Sequence, residues 1–413
     1  MKAITISSFT GFCSRGSEAL LRVRTESIRK LVPQVKFYVL TVYTETCRPI
    51  KGVEYIKTFG ARREKFRSLK YFIATLVKAI SWTFSAWTYR FFNYCPNKSV
   101  KKLSSSEIFI SSDGDVLGED YGFFPLLWRM YFLSLGIVMK KPVFIYAAGP
   151  GPFKSRLGKA ISRFLFKRCI YISVREKGSL DHLAGLGIDK KKIDLVADSA
   201  FLLKPAAKNL NYRRKGKKLI GVAVSELVSA YGFPPKEGKN PYVSFVDFMA
   251  GLIDWIIENL NADIIMVAHA IQAKRDDYQT AQDIFKRIKN KNKVKILSKS
   301  FGAADYKKAI SHCDLMIASR LHAAIAALSS FVPAIGIAYS HKMDGIYRSL
   351  GVGDLVIDIK TCDGRIKTKI KKALADSNLI KRKLRAKMPL VKKLAEKPAF
   401  ELARILKERT KGS

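Results

Sequence analysis

Short apolar runs rich in β-branched residues alternate along the chain with longer stretches in which apolar residues recur every three or four positions. That alternation predicts a parallel sheet covered by helices on both faces. Strands are predicted at 4–7, 35–42, 108–110, 142–146, 171–174 and 194–198. A second series is predicted at 219–224, 262–267, 294–297, 315–318 and 334–338, with helices such as 245–259 and 279–289 between them. Between the two series lies 209–218 (NLNYRRKGKK), polar, basic and without periodicity, which reads as a linker. The expected organisation is therefore α/β, with one Rossmann-like domain over 1–208, a linker at 209–218 and a second Rossmann-like domain over 219–363. A basic helical segment follows over 364–413, which Pro389 and Pro398 are expected to break into pieces.

One stretch raises the membrane question. Over 71–94, Phe72, Ile73, Leu76, Val77, Ile80, Phe84, Trp87 and Phe91 recur at helical spacing, while Lys70, Lys78, Ser81, Ser85 and Thr88 fall on the opposite side. The pattern predicts an amphipathic helix packed on the protein's own core. A helix docked in a membrane interface and a membrane span are the alternatives, and Lys78 and Arg90 count against the span.

With 413 residues, 48% of them hydrophobic, the chain has the material for two packed domains, which excludes a disordered or fibrous polymer. Its formal net charge of +41 predicts anionic partners. No nucleic-acid recognition motif accompanies the charge and the basic residues are spread throughout, so no specific nucleic-acid partner is expected. The six cysteines include no Cys-x-x-Cys pair, which fits a reducing cytoplasm and indicates neither a zinc site nor a disulfide framework. The amino terminus reads as a first strand rather than a signal peptide.

In open parallel sheets ligands bind beyond the carboxyl ends of the strands, so the residues just after each strand carry the candidate chemistry. Three of the five histidines fall there: His269, His322 and His341, all in the second domain. Their shared edge suits general acid–base work. Arg320 stands two residues before His322 and Lys342 follows His341, so an anion is the expected substrate; an exposed basic turn is the alternative. The turn Ser319-Arg320-Leu321-His322 also opens an apolar helix whose N-terminus attracts anions.

In the first domain Gly149-Pro150-Gly151-Pro152 lies between a strand and a helix. Its prolines remove N–H donors that a phosphate cradle needs, so its glycines are read as permitting a tight turn under a ligand or against another loop, with Lys154 and Arg156 available to anions. Asp113-Gly114-Asp115 offers too few ligands for a metal, and no metal is expected. Arg175 and Glu176 close a strand, where a surface salt bridge is the alternative to a role in binding.

Several of these segments together resemble the polysaccharide pyruvyl transferase family. Gly149-Pro150-Gly151-Pro152-Phe153-Lys154-Ser155, Ser173-Val174-Arg175-Glu176, Val196-Ala197-Asp198-Ser199-Ala200-Phe201, Ser319-Arg320-Leu321-His322-Ala323 and Tyr339-Ser340-His341-Lys342 match most closely. Ser112-Asp113-Gly114-Asp115-Val116-Leu117 also matches, and Ser14-Arg15-Gly16-Ser17-Glu18-Ala19 matches loosely. The ordered set covers about 7–358.

The resemblance implies two Rossmann-like domains facing each other across a cleft, as in GT-B glycosyltransferases. It implies transfer of pyruvate from phosphoenolpyruvate, a co-substrate rather than a cofactor, onto two hydroxyls of a sugar, lipid-linked or free. By that resemblance Arg320, Arg175 and Lys342 clamp the substrate, helped by the backbone near Ser319 and Leu321 and by the turns at Gly114, Gly149 and Gly151. His322 acts as acid, and His269 or His341 as base. A GT-B nucleotide-sugar glycosyltransferase is the competing reading. The excess charge, the 71–94 helix and the basic tail suggest an anionic membrane leaflet as a further partner, placing the enzyme in the cytoplasm against the plasma membrane.

Overall fold

The computed structural model describes residues 2–60, 69–111, 114, 117–230, 233–235, 238, 240–271, 276–339 and 341–411. The chain forms two compact units, each discontinuous in sequence. The first comprises Met1–Phe12, Leu20–Ser199 and Lys393–Ser413, and the second Cys13–Ala19 and Ala200–Lys392.

The first unit is built on a parallel sheet of seven strands: β1 (Ala3–Phe9), β2 (Lys36–Thr41), β3 (Val53–Lys57), β4 (Ile108–Ser111), β5 (Val143–Ala148), β6 (Tyr171–Val174) and β7 (Ile193–Leu195). Their order is β3-β2-β1-β4-β5-β6-β7. The central strands are apolar on both faces, as a sheet covered on both sides requires: β5 is buried at every position. One face packs against Leu126, Met130 and Leu133 of the helix Phe123–Val138 and Leu165 and Phe166 of the helix Arg156–Lys167. The other packs against Leu21 and Ile28 of the helix Arg15–Leu31 and against Ala399, Leu402 and Leu406 near the carboxyl terminus.

The second unit carries β8 (Lys218–Ala223), β9 (Ala262–Met266), β10 (Val294–Ile296), β11 (Leu315–Ala318), β12 (Ala334–Ala338) and β13 (Val356–Asp358), in the order β10-β9-β8-β11-β12-β13. This is the Rossmann order, with the strand sequence reversing direction between β8 and β11. Parallel register pairs Val222 with Met266 and Ala223 with Ala318, so the carboxyl ends of β8, β9 and β11 are level.

Two expectations fail. The carboxyl-terminal helix Ser377–Lys411 runs through Pro389 and Pro398 without a break. The prolines each remove a donor, and burial of Ala395, Ala399, Leu402 and Leu406 holds the helix together around them. The second failure is the helix Leu69–Phe92, whose bulky apolar stripe is exposed rather than buried. Thr75, Trp82, Ser85, Ala86 and Thr88 are buried, Trp82 lying edge-on to Phe59 and Phe132. Phe72, Ile73, Leu76, Val77, Ile80, Phe84, Trp87 and Phe91 are 41% to 61% exposed. The buried side, Trp82 included, packs on the neighbouring helix Phe123–Val138, which leaves the bulky stripe turned outward. No helix among the described residues is long and apolar enough to cross a membrane.

Candidate active site

The carboxyl edge of the second sheet gathers most of the candidate residues. The segment after β9 is pinned by an antiparallel bridge between Ser14 and Ala270, with Arg15 N–H donating to the His269 carbonyl at 2.8 Å and Ile271 N–H to that of Cys13 at 2.8 Å. This places His269 and the start of the helix Arg15–Leu31 side by side. His269 is 6% exposed, its ring packs 5.7 Å from that of Tyr306, and its Nδ1 is buried without a hydrogen-bond partner. Burial, and then the positive surroundings contributed by His322, Arg320 and Arg15, hold its pKa well below the usual histidine range. The imidazole is therefore neutral near pH 7.

His322 lies in the first turn of the helix Leu321–Leu328, after β11. The backbone of Gly16 passes against its ring, where an added Cβ would stand 2.4 Å from Nδ1. Leu321–Leu328 begins at Arg320 with no side-chain cap, so its first N–H groups are left to other acceptors. Ser319 is fully buried at the end of β11 and its Oγ has no hydrogen-bond partner.

Arg320 is held rather than free. Its Nε and Nη2 donate to the carboxylate of Asp277 at 2.9 and 2.6 Å, and Asp277 is completely buried. Asp277 also accepts from the N–H of Ala270 at 2.8 Å, so one carboxylate ties the β9 loop to the β11 turn. Next to it Asp276 caps the helix Asp277–Arg287 through Tyr278 N–H. Arg15 is buried, 3.7 Å from Glu18 and 5.7 Å above the Tyr306 ring, and Glu18 accepts from Ala303 N–H at 3.1 Å. Lys342 is buried near the start of the helix His341–Ser349. Ser340 and the side chain of His341 lie outside the described residues.

The first unit holds the other candidates. Arg175 has no exposed side-chain surface. It donates through Nη1 to Asp198 and through Nε to Glu176 at 3.3 Å, and Glu176 accepts from Ser179 Oγ at 2.6 Å. Gly114 lies against it, since a Cβ there would stand 2.3 Å from Nη1. Asp113 and Asp115 lie outside the described residues.

Gly149 and Gly151 bring two loops together: Gly149 N–H donates to the Gly114 carbonyl, Gly151 N–H to that of Leu117 at 2.8 Å, and Glu119 N–H to that of Pro152 at 2.9 Å. Gly151 has φ +94° and also packs on His182. The side chains of Arg156 and Lys154 are exposed, as availability to an anion requires, whereas the backbone of Lys154 is already engaged. Its N–H, the N–H of Ser155 at 2.8 Å and Ser155 Oγ at 2.6 Å all donate to the carboxylate of Glu119. Burial opposes charge on Glu119, but these donors outweigh it and lower the pKa. The helix start is thus occupied by an internal anion.

Sequence reading missed Asp277 and Glu119, and Arg15 and Glu18 enter it only within the loosely matching segment Ser14–Ala19, with no role of their own. The pair Asp276-Asp277 ahead of a helical pattern was a visible capping signal, but which of two acids turns inward is set by tertiary contacts. Among the described residues no group of three or more His, Cys, Asp or Glu side chains is placed to hold a metal.

A family model described as polysaccharide pyruvyl transferase matches residues 26–341. The amylovoran biosynthesis protein AmsJ of Erwinia amylovora is 26% identical over 281 residues, 65% of this chain and 66% of AmsJ, so just under two thirds of that relative is spanned. Among solved structures, UDP-GlcNAc 2-epimerase from Neisseria meningitidis, bound to UDP-GlcNAc, is similar with a TM-score of 0.60 at 9% identity over 97% of this chain and 99% of that one. Anabaena HepE in complex with UDP-glucose gives 0.58 at 12% identity over 99% and 100%, and the lipopolysaccharide outer core galactosyltransferase WaaB gives 0.53 at 13% over 98% and 100%. These likenesses establish the fold: two parallel α/β units of the kind found in GT-B neighbours, with a helical carboxyl-terminal tail. Over most of its length the sequence fits one family model, and the chain belongs to the polysaccharide pyruvyl transferase family.

Proposed function

We propose that the protein transfers pyruvate from phosphoenolpyruvate onto two hydroxyls of a sugar in a polysaccharide or its lipid-linked precursor, forming a cyclic ketal and releasing phosphate. The observation that carries this reading is His269: a buried, neutral imidazole with an unsatisfied Nδ1, set among the cations Arg15 and Arg320 and close to His322. Burial and cations keep this imidazole unprotonated in the free protein, and an anionic substrate entering among Arg15 and Arg320 would offset their charge and let the ring take a hydroxyl proton.

The first sugar hydroxyl adds to the carbon that bears the phosphate, while the neighbouring methylene takes a proton from His322 and becomes a methyl. His269 receives the hydroxyl proton; His341, which opens the next helix along the same edge, is the alternative base. The carbon–oxygen bond to phosphate then breaks, the second hydroxyl closes the ring, and its proton leaves with phosphate. The carbon–carbon π bond and one carbon–oxygen bond break while two carbon–oxygen bonds and one carbon–hydrogen bond form; one hydroxyl proton balances that given to the methyl, and no oxidant is required. Lys342 and the uncapped start of Leu321–Leu328 supply positive potential for the carboxylate and phosphate. Arg320 acts through its fork with Asp277, which fixes the turn that presents His322. Arg175 and Gly114 shape the first unit's loops.

The test is release of inorganic phosphate from phosphoenolpyruvate by the purified protein with a panel of free and lipid-linked glycans. Acceptor-dependent release is expected; turnover of a UDP-sugar with none from phosphoenolpyruvate would replace this reading with glycosyl transfer.

A further inference from the structure

The helix Leu69–Phe92 presents an outward stripe at Leu69, Ile73, Leu76, Ile80, Phe84, Trp87 and Phe91, a continuous line at intervals of three and four residues. At 1.5 Å per residue it is about 33 Å long, and it continues into exposed Phe92 and Tyr94. A contiguous apolar surface of this length on a folded protein marks an interaction site.

Three observations identify the occupant. No acidic residue occurs between Glu64 and Glu107, whereas Lys70, Lys78, Arg90 and Lys98 are all exposed there. Aromatic side chains collect at one end of the stripe, as they do at the boundary between lipid headgroups and acyl chains. The helix Arg156–Lys167, on the far side of Phe123–Val138, repeats the composition, exposing Leu157 and Phe164 among Arg156, Lys159, Arg163 and Lys167. A second copy of this chain is a poor partner, because pairing would set the same cations against one another in a protein of net charge +41.

We infer that the outward face of Leu69–Phe92 docks, in the plane of the interface, on a bilayer rich in anionic lipid. The apolar stripe enters the acyl boundary and the lysines and arginines meet the headgroup charge. The inference does not depend on the pyruvyl transfer proposed above, since binding is measured without phosphoenolpyruvate.

The full-length protein is sedimented with vesicles of phosphatidylcholine alone and of phosphatidylcholine with phosphatidylglycerol, at low and high salt, and Trp emission is followed. Partition onto anionic vesicles is expected, with a blue shift and weakening at high salt. The double variant Ile80→Glu, Phe84→Glu, altered only at exposed positions, is expected to keep the wild-type melting temperature and to bind at least about tenfold more weakly. Equal binding by wild type and variant would overturn the inference. So would absence of vesicle binding combined with a dimer in solution that the double variant dissociates, which would assign the face to a second copy.

Discussion

The backbone of Gly16 lies so close to the His322 imidazole that a methyl group at Gly16 would fall 2.4 Å from Nδ1, 2.7 Å from Cγ and 2.8 Å from Cε1. The relationship is a positioning device, since Gly16 touches the ring without sharing its chemistry. Gly16 sits in the first turn of a helix, where alanine is otherwise favoured by up to about 1 kcal/mol. Gly16→Ala is therefore expected to leave the fold intact, turn the imidazole aside and lower phosphate release by about a hundredfold, the scale of a misplacement of about 1 Å at a reacting group. Full activity would show that the ring's position is immaterial.

The fork between Arg320 and Asp277 joins two loops of the second unit through a carboxylate with no exposure. Asp277→Ala is expected to cost about 3–5 kcal/mol in urea unfolding by removing the counter-charge of a largely buried guanidinium. Replacing both partners, as Asp277→Leu with Arg320→Met, is expected to restore much of that stability but not activity. A cost below about 1 kcal/mol for Asp277→Ala would mean that the fork contributes little.

Arg175 separates a gripping role from a holding one. Enclosed by Asp198 and Glu176 and lying against Gly114, it is expected to behave as a holder. Arg175→Met should lower stability by about 3–5 kcal/mol, because two buried carboxylates lose their cation. A variant with unchanged melting temperature and a raised KM for phosphoenolpyruvate would instead give Arg175 direct contact with substrate.

His269 makes stability depend on pH with a definite sign. Its folded pKa is well below the usual 6.5, so as pH falls below about 6.5 the unfolded chain takes up a proton that the folded chain refuses. Stability is then lost at up to about 1.4 kcal/mol per pH unit until the folded pKa is reached. Urea midpoints at pH 7.5 and 5.5 should move closer together in His269→Asn than in wild type. Equal separations would place His269 in a less depressed state.

Much of the fold is legible in the sequence because buried parallel strands need unbroken apolar runs: β5, β11 and β12 stand out for that reason. The positions of His269, Ser319, Arg320 and His322 follow from the same logic, since each ends or follows a strand. The salt-bridge partners do not. Nothing local distinguishes Asp277 from Asp276, or marks Glu119 as the anion that fills the start of Arg156–Lys167, because both pairings span loops that only the folded sheet brings together. The helix Leu69–Phe92 shows a different limit. Periodicity reveals an apolar stripe but not what covers it, and the inner face, with Ala79, Trp82, Ala86 and Tyr89 at their own helical spacing, was equally present in the sequence.

The most direct measurement of the central claim is phosphate release from phosphoenolpyruvate together with the mass of the acceptor product, compared among wild type, His322→Ala and His269→Asn. Wild type should release phosphate only with acceptor and yield a glycan heavier by one pyruvate ketal, while both variants, folded as judged by circular dichroism, fall by at least about a hundredfold. Ketal formation at the wild-type rate in either folded variant would contradict the roles given to these two histidines.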